Sequence, residues 1–579
     1  MIWDYNKKFF KYFIEDKKAL YKYFGLSFIV GILELFGVAL TYPFITRLMS
    51  KDGLDSTSIF WGCLIIIAFF AKNIFMIFYN YLQADFTKTC ESDINKKFMK
   101  FFIQGDYSNI SQIPFAKKLQ IVGFLTPSVI NNYLVRLLNL NVNIFIFALL
   151  IAFLFAKFFI ATSITLLSSL ILLFLQALFF KHKTGKVSKL INQANENLNQ
   201  SINEPILNIK SVKIFNSEKF FYEKYTQKLE VFRKLAKDLL FYNSIPAYVT
   251  EPFIILILLL LLAIISIQNL SNSTALIASY AVIVSAVFRL APTISRIQVN
   301  LTGINTSTPQ VKELIKYYEE FALNDFVPKK DIDYSFNSTI ELKDVCFKYG
   351  EKEVLKNINL TIKKGEFIGI AGHSGVGKTT LVDILAGLLK IRTGQIYIDG
   401  KLIPGIEMPK LKIGYIPQDY SIISSSIREN VAFGHDAIDD EQVIKVLKQA
   451  QLYEFIEKNF EEGIYAKPFV DSNGLSQGQK QRLAIARALY LDPDIIILDE
   501  ATSSLDLKTE DEICEVLNKL KGEKTIITIA HRLSTLKNAD IIHILENSTI
   551  TDSGDFEELF KRNDRFKKLV ELNNSNSIH

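Results

Sequence analysis

Residues 372–379 read Gly372-His373-Ser374-Gly375-Val376-Gly377-Lys378-Thr379, which is the pattern G-x-x-x-x-G-K-[ST] of a phosphate-binding P-loop. The apolar run Phe367–Ala371 precedes it as a predicted buried strand, and Thr380–Ala386 follows it with the spacing of a helix. This strand–loop–helix order is the context that the motif requires, because glycine lets backbone N–H groups turn toward phosphate oxygens at the positive end of the following helix. Lys378 is expected to reach the β- and γ-phosphates of a nucleotide, and the Thr379 hydroxyl is expected to ligate Mg²⁺.

The composition indicates a membrane protein. The chain has 579 residues, of which 49% are hydrophobic, and its mean hydropathy of +0.20 is too high for an ordinary soluble protein of this size. Its formal net charge of +6 is modest, so we expect no nucleic-acid partner, and lysines at the cytoplasmic face of a membrane explain the charge. The four cysteines lie far apart without C-x-x-C spacing, which predicts reduced, structural thiols and neither a zinc site nor a disulfide framework.

Six apolar segments in the first half of the chain predict six membrane crossings, since a helix needs about 20 residues to cross the hydrocarbon core. They lie at about 23–49, 59–82, 129–155, 158–180, 253–265 and 275–290, the fifth being extended by apolar flanks. Residues 1–20 interleave aromatic residues with lysines and acids, which predicts an amphipathic helix at a membrane surface or, alternatively, a solvated helical lead-in. The predicted fold class is an all-α six-helix transmembrane domain, residues 1–325, fused to an α/β P-loop nucleotide-binding domain, residues 326–579.

The connections between the apolar segments alternate in length. Those at about 83–128 and 181–238 are long, polar and rich in lysine, whereas the others are short. The positive-inside tendency places both long connections, both termini and the nucleotide-binding domain in the cytoplasm. Both connections also keep helical periodicity, which predicts membrane helices that extend well beyond the bilayer.

Several polar or charged side chains fall inside the apolar segments, where charge is costly. They are Glu34, Lys72, Asn73, Glu251 and Arg289. Glu34 lies deepest in its segment, and we expect it to belong to a substrate pathway, to pair with another helix or to contact a lipid headgroup. Arg289 is a second candidate for the substrate pathway, although Lys72 and Arg289 are long enough to extend to the membrane interface, which is the interpretation we favour for both.

Two stretches in the second half of the chain suit nucleotide chemistry. Ile495–Glu500 predicts a buried strand that ends in Asp499, placed to hold Mg²⁺, and in Glu500, placed to polarise a water for attack on the γ-phosphate. Leu475–Gln479 lies at the start of a long predicted helix. The N-terminus of this helix is a second anion-binding helix end, in addition to the one that follows the P-loop. Because one P-loop encloses a triphosphate from one side only, we expect such a second helix end to close the site.

With these motifs in this order, nearly the whole chain resembles the ATP-binding cassette transporters of the exporter type. The resemblance implies that Tyr349 stacks on adenine, that Gln418 is the glutamine of the Q-loop, and that His531 acts in catalysis beside Glu500. The ATP-binding residues that it implies are Tyr349, Gly372, His373, Ser374, Gly375, Val376, Gly377, Lys378, Thr379, Thr380, Gln418, Ser476, Gln477, Gly478 and Gln479. The Mg²⁺ contacts that it implies are Thr379, Gln418 and Asp499, and Ser503–Asp506 match the D-loop.

The resemblance further implies that two nucleotide domains pair head to tail, so that the signature Leu475–Gln479 of one copy completes the site of the other. One membrane half and one nucleotide domain make a half-transporter, and with Glu500, His531 and Ser476 present a homodimer would have two competent sites. Gln477 stands where the signature usually has glycine, and we expect a working site with an altered rate. The segment before the signature, residues 470–474, is also shorter than is usual in the family.

Short strings around Glu34, at Ile413–Gln418 and at Ser426–Asn430 are similar to the flippases of lipid-linked oligosaccharides in bacterial glycosylation. The predicted cargo is therefore a membrane lipid or lipid-linked glycan, moved outward across a bacterial inner (plasma) membrane with ATP and Mg²⁺. Lipid A-core flippases and multidrug exporters share the architecture and stay open as alternatives. An ATP-gated channel or regulator is a more distant alternative, and the six apolar segments exclude a soluble cassette ATPase.

Overall fold

The computed structural model describes residues 2–48, 55–157, 159–268, 273–321, 334–405, 407–418, 420, 422–468, 474–499, 507–529 and 536–575. The chain divides into two compact units. The first combines Met1–Gly105 with Asn109–Val327, and the second combines Asp106–Ser108 with Pro328–His579. The first is helical and the second contains sheets and helices, so the predicted fold class is confirmed.

The first unit contains helices α1 to α12, except for the first two residues of α5. It also contains two π-helical turns, Ile121–Leu125 and Ile130–Leu134, on either side of α7. The helices are α1 Ile2–Phe13, α2 Lys17–Ala39, α3 Thr41–Leu48, α4 Ser56–Gln104, α5 Tyr107–Ser111, α6 Phe115–Gln120, α7 Thr126–Val129, α8 Val135–Lys157, α9 Phe159–Leu207, α10 Ile209–Ile214, α11 Glu218–Gln268 and α12 Ser273–Glu320. Helices α4, α9, α11 and α12 have 49, 49, 51 and 48 residues. Each is more than twice as long as the stretch of about 20 residues that crosses a bilayer. Their extension into the cytoplasm stays a prediction.

Three stretches among the described residues are long and apolar enough to cross a membrane. They are Lys17–Leu48, Ser56–Gln104 and Phe115–Ala156, and they contain the first three predicted segments. The other three predicted segments fall on α9, α11 and α12, where many side chains lie outside the described part of the chain. Six crossings in total stays a prediction.

Helix α1 has an apolar face that is buried by protein, and its position at a membrane surface stays a prediction. Phe9 and Phe13 are 0% and 2% exposed. The Phe9 ring lies 5.2 Å from that of Tyr133, and Tyr12 stacks on Tyr318 of α12 at 4.9 Å. An amphipathic pattern predicts that one face of a helix is buried, but it does not identify what buries that face. Here Tyr133, in the π-helical turn before α8, and Tyr318 of α12 contribute to its burial.

The second unit is built on a six-stranded sheet in the order β10-β9-β3-β8-β7-β6. Its strands are β3 Phe367–Ala371, β6 Ile413–Ile416, β7 Ile495–Asp499, β8 Thr525–Ile529, β9 Ile541–Glu546 and β10 Thr549–Gly554, all parallel to their neighbours except β10. Since β3 and β7 both pair in parallel with β8, their carboxyl ends lie at the same edge of the sheet. That edge is where open α/β sheets bind ligands.

The unit also contains a four-stranded antiparallel sheet in the order β2-β1-β4-β5. Its strands are β1 Thr339–Tyr349, β2 Lys352–Lys363, β4 Thr393–Ile398 and β5 Lys401–Leu402. The helices of the unit are α13 Lys378–Leu385, α14 Ile427–Ala432, α15 Asp440–Gln449, α16 Tyr453–Asn459, α17 Gln477–Leu489, α18 Leu507–Leu520, α19 Phe556–Arg562 and α20 Asp564–Ser575. The turn between β1 and β2 places Tyr349 at the end of a hairpin, opposite Lys352.

Candidate functional site

The P-loop joins β3 to α13, as its sequence context predicted. All three of its glycines have a backbone that side chains rarely adopt: φ is +154° at Gly372, +79° at Gly375 and +111° at Gly377. A Cβ at Gly377 would lie 2.9 Å from Leu355 Cδ2, and one at Gly372 would lie 2.3 Å from the carbonyl oxygen of Leu545. Glycine is therefore needed at both positions for steric as well as conformational reasons.

Lys378 begins α13 with its amino group turned back into the P-loop. The residue is 5% exposed, and Nζ donates hydrogen bonds to the carbonyl oxygens of Gly372 (2.9 Å) and His373 (3.1 Å). A buried ammonium that is held by neutral carbonyls is well placed to bind an anion, which interacts with it more strongly. The loop thus fits a phosphate group by its glycines, by its lysine and by the helix N-terminus that follows.

The other predicted residues around the P-loop differ in exposure. His373, Ser374, Gly375 and Thr379 are exposed, whereas Thr380 is buried. Tyr349 is exposed and lies beside Thr380, whose hydroxyl interacts with its phenol. Its ring lies 4.8 Å from that of Phe347. Tyr349 therefore lies next to the first turn of α13, as an adenine-stacking residue must.

A second feature of the site is a pair of buried carboxyl groups. Asp499 ends β7 and is 7% exposed, and Tyr415 of β6 donates a hydrogen bond to Asp499 Oδ2 at 3.1 Å. Burial, together with the smaller effect of the negative charge of Asp499, raises the pKa of Asp383 on α13 to about 6. A divalent cation would relieve the repulsion that Asp383 experiences from Asp499. Gln418 lies in the segment that follows β6 and is exposed.

The signature residues form the N-terminus of α17. Ser476 caps this helix: Gln479 N donates to Ser476 Oγ at 3.3 Å, and Ser476 N donates to Gln479 Oε1 at 2.7 Å. This reciprocal arrangement is a capping box. Gln477 is the first helical residue and is exposed, and Gly478 follows it. The glutamine side chain therefore leaves the helix N-terminus formed and accessible.

Some of the predicted site lies outside the described residues. This applies to Glu500, to His531, to the D-loop Ser503–Asp506 and to residues 470–473 before the signature. Their roles stay predictions. The structure brings Lys378 and Asp499 to the same edge of one sheet, and it places Ser476 on a different helix of the same unit.

The first unit contains a second candidate site, a cluster of three charged side chains that we call the ion cluster: Glu34, Lys72 and Arg289. Glu34 Oε2 lies 2.5 Å from Lys72 Nζ, and Glu34 Oε1 lies 3.1 Å from Arg289 Nη1. Glu34 is 8% exposed, and the Arg289 guanidinium lies 4.8 Å from the ring centre of Phe69. The cluster therefore ties together α2, α4 and α12.

The ion cluster corrects the interpretation that Lys72 and Arg289 extend to the membrane interface. Both side chains bind Glu34 instead, because a buried carboxylate needs a charged partner and the two cations lie within reach of it. For Glu34, the pairing with other helices is the alternative that the structure supports directly. The side chain of Glu251 lies outside the described part of the chain.

The sequence did not reveal two residues of these sites, Asp383 and Tyr415. It also did not reveal that Lys72 pairs with Glu34. Asp383 had a detectable signal, since it is an acid that follows the P-loop by one helical turn within the otherwise apolar run 381–385. Tyr415 had none, because its contact with Asp499 depends on the neighbouring positions of β6 and β7 in the sheet.

His543 on β9 makes the second unit sensitive to acid. Burial lowers the pKa of His543 to about 4, and its Nδ1 lies 2.7 Å from Ser553 Oγ. This folded-state pKa is below the ordinary value of about 6.5. The stability that the neutral ring provides is therefore present above pH 6.5 and lost as the pH falls toward 4. Between pH 7 and pH 5 we expect this group alone to lower the free energy of unfolding by about 2 kcal/mol.

Hydrogen exchange of residues 541–554 at the two pH values, corrected for the intrinsic exchange rate, measures this loss. His543→Gln cannot ionise in this range and should remove most of the pH difference. His435→Gln, which changes an exposed histidine of the same unit, is the matched control and should leave the difference as in the wild type. A pH difference that persists in His543→Gln would show that other groups cause it.

Comparisons with known proteins agree with both units. Residues 20–289 match the family described as ABC transporter transmembrane region, and residues 355–503 match the family described as ABC transporter. The chain is 36% identical over 280 residues to an ATP-dependent lipid A-core flippase of Syntrophus aciditrophicus, which covers 47% of this chain and 46% of that protein. It is 36% identical over 271 residues to the ABC multidrug transporter MDR2 of Trichophyton rubrum, covering 44% of this chain and 20% of that protein.

Each of these matches spans less than half the length of the curated relative. Among solved structures, a bacterial Atm1-family ABC exporter with ATP bound superposes with a TM-score of 0.80, covering 96% of this chain and 98% of that one. At 19% sequence identity this likeness shows the shared fold. The two family matches, in their order along one chain, together with the P-loop geometry and the long membrane helices, show that the chain belongs to the ABC transporters.

Proposed function

We propose that the protein is one half of an ATP-hydrolysing exporter that moves a lipid carrying a phosphate-linked glycan from the cytoplasmic side of a bacterial plasma membrane outward. The ATPase part rests on the P-loop and on the carboxyl groups beside it. The cargo part rests on the ion cluster in the membrane unit. Movement by alternating access would follow from closure and reopening of paired nucleotide domains.

In the nucleotide site, each described residue has a distinct proposed task. Lys378 would exchange its two carbonyl acceptors for phosphate oxygens, and Tyr349 would hold the adenine ring. Thr379, Asp499 and Gln418 are the proposed contacts of Mg²⁺, which when bound neutralises phosphate charge. Glu500 as the base that orients water and His531 as its partner remain part of the proposal.

A second copy of the chain is the proposed partner. The N-terminus of α17 is accessible, because Ser476 and Gln477 are exposed there and Gly478 has no side chain. Placed against the P-loop of another copy, this end would complete the enclosure of the γ-phosphate. The same chain supplies both halves, so a homodimer would hold two equivalent sites.

The observation that carries the cargo class is the charge of the ion cluster. Two cations share one carboxylate, which leaves the three groups with a net charge of +1 inside apolar helices. Arg289 keeps about a third of its side chain exposed (35%), whereas Glu34 is nearly covered. An anionic group such as a phosphate would compensate this charge, and an arginine fork is suited to bind it. A cationic drug would be repelled by it.

A lipid A-core flippase is the second candidate, favoured by the curated relative of that description. Its class of cargo also combines phosphates with sugars on a lipid, so the ion cluster suits both candidates. Multidrug export is a third possibility, favoured by the fungal relative but not by the sign of the cluster's charge. Both termini and the nucleotide-binding unit are proposed to lie in the cytoplasm, where ATP is available.

ATPase activity in proteoliposomes tests the proposal. Polyprenyl-pyrophosphate-linked glycans should stimulate turnover several-fold, lipid A-core should do so less, and cationic drugs should not stimulate it. Vesicles with Lys378→Ala protein are the control for contaminating ATPase. Stimulation by cationic drugs alone would favour multidrug export, and ATP-dependent ion currents in a bilayer would favour a channel.

A further inference from the structure

A cavity of about 370 Å³ lies between α4, α8 and α12 of the membrane unit. Its volume is within the range of small-molecule sites, about 300–1,000 Å³. Most of its polar side chains are carboxamides, and we call it the amide cavity. The lining residues that carry the argument are Tyr79, Asn80, Asn139, Asn143, Arg296 and Asn300.

The carboxamides of the amide cavity are only partly used by the protein. Asn143 Nδ2 donates to the Asn139 backbone oxygen at 2.6 Å, and Gln83 Nε2 donates to Asn139 Oδ1 at 3.1 Å. Asn300 is 8% exposed, yet its side chain makes no hydrogen bond to any residue that the structure describes. The same holds for Asn80 within the described ranges. Because Asn300 lines the cavity, its amide is available to a ligand or to water there.

The chemistry of this lining differs from that of the ion cluster. A carboxamide offers two donors and an acceptor without net charge, which matches hydroxyl groups that both donate and accept. A phosphate, by contrast, requires donors and positive charge. Arg296 is the single cation of the lining, and no carboxylate is among the lining residues. Arginine N–H groups can also donate to hydroxyl oxygens. The four carboxamides of the amide cavity therefore suit a hydroxyl-rich group, to which Arg296 adds further donors.

The amide cavity and the ion cluster share two helices, α4 and α12. On α4, Tyr79 and Asn80 follow Lys72 by two helical turns, and on α12 Arg296 follows Arg289 by the same interval. Two turns correspond to about 10 Å along a helix axis, and positions seven apart share a helix face. A ligand that bridges the two sites would need a charged group and a neutral polar group about that far apart.

We propose that the amide cavity binds the first uncharged sugar of a lipid-linked glycan whose phosphate lies at the ion cluster. This inference rests on the proposed function and adds a recognition site for the sugar. With the predicted topology, the sugar would lie on the cytoplasmic side of the phosphate, which is the orientation of a headgroup that enters from the cytoplasmic leaflet.

The test compares two probes in proteoliposomes: a polyprenyl pyrophosphate, and the same lipid carrying one N-acetylhexosamine. The measured quantity is the ratio of their half-maximal concentrations for ATPase stimulation. In the wild type the sugar-bearing lipid should act at about fivefold lower concentration or better, which is the effect of one or two hydrogen bonds. Asn300→Leu and, separately, Asn80→Leu should bring the ratio close to one.

Asn80 has an exposed side chain, so Asn80→Leu tests the site even where Asn300→Leu impairs folding. Asn141→Leu is the matched control, because it removes an amide of α8 that does not line the amide cavity, and it should keep the wild-type ratio. If both probes stimulate the wild type equally, or if both leucine variants keep its ratio, the sugar site is wrong while the proposed function stands. If neither probe stimulates ATPase activity, the proposed function itself fails.

Discussion

Lys378→Ala is expected to lower ATP turnover by a factor of about 10² to 10³, the usual cost of removing one donor that stabilises charge in a transition state. The physical reason is the position of the ammonium group inside the P-loop, 5% exposed and held by two backbone carbonyl oxygens. Alanine leaves the loop and its glycines in place but removes the positive charge that faces the phosphates. Phosphate release from purified protein in proteoliposomes measures the loss.

Lys401→Ala provides the matched control, since Lys401 is an exposed lysine on β5 of the same unit. Its turnover should equal that of the wild type. Glu500→Gln should abolish turnover as well, but with ATP retained, because a glutamine keeps the shape of the side chain and loses its basicity. Wild-type hydrolysis by Lys378→Ala protein would contradict the assignment of this loop as the ATPase site.

Lys72→Met is expected to raise the half-maximal concentration of a phosphate-linked lipid at least tenfold. The change leaves Glu34 paired with Arg289 alone, and this pair is neutral, so the net positive charge of the ion cluster disappears. Lys72→Arg keeps the charge and should retain most of the response. Stimulation of ATPase activity in proteoliposomes by a polyprenyl pyrophosphate is the readout.

Lys88→Met is the control, because Lys88 also lies on α4 but pairs with Glu91 at an exposed position. Glu34→Gln tests the structural role separately: it leaves two cations without their carboxylate, which should destabilise the membrane unit by about 3 kcal/mol. If Lys72→Met protein responds to the lipid like the wild type and only its stability falls, the ion cluster is a structural link between helices and not part of the substrate pathway.

The P-loop was predictable because its information is local. Residues 372–379 contain the glycines, the lysine and the first residues of the helix in one continuous stretch. The spacing of apolar residues on either side predicts the strand and the helix that flank it. The capped N-terminus of α17 was predictable for the same reason, since Ser476 and Gln479 are neighbours in sequence. Such features do not depend on how distant elements pack.

The ion cluster was not predictable in the same way. Its members lie on three helices, and nothing in a single sequence gives the rotation of α2, α4 and α12 about their axes. Each long cation alone was compatible with reaching the interface, and only the packing brings both of them to Glu34. Likewise, the apolar face of α1 suits lipid and protein equally well, and its burial by Tyr133 and Tyr318 depends on tertiary structure.

The length of α4 has a mechanical consequence. A continuous helix of 49 residues is about 75 Å long, so a tilt of about 5° about one end displaces the other by about 6 Å. No proline interrupts α4, whereas α12 contains Pro292 and Pro309. A small rotation of α4 would therefore produce a large displacement at its far end, while α12 has two prolines at which it can bend. Lys72 lies on the straight helix and Arg289 on the helix that can bend, so a movement of one helix relative to the other would separate the two cations that now share Glu34.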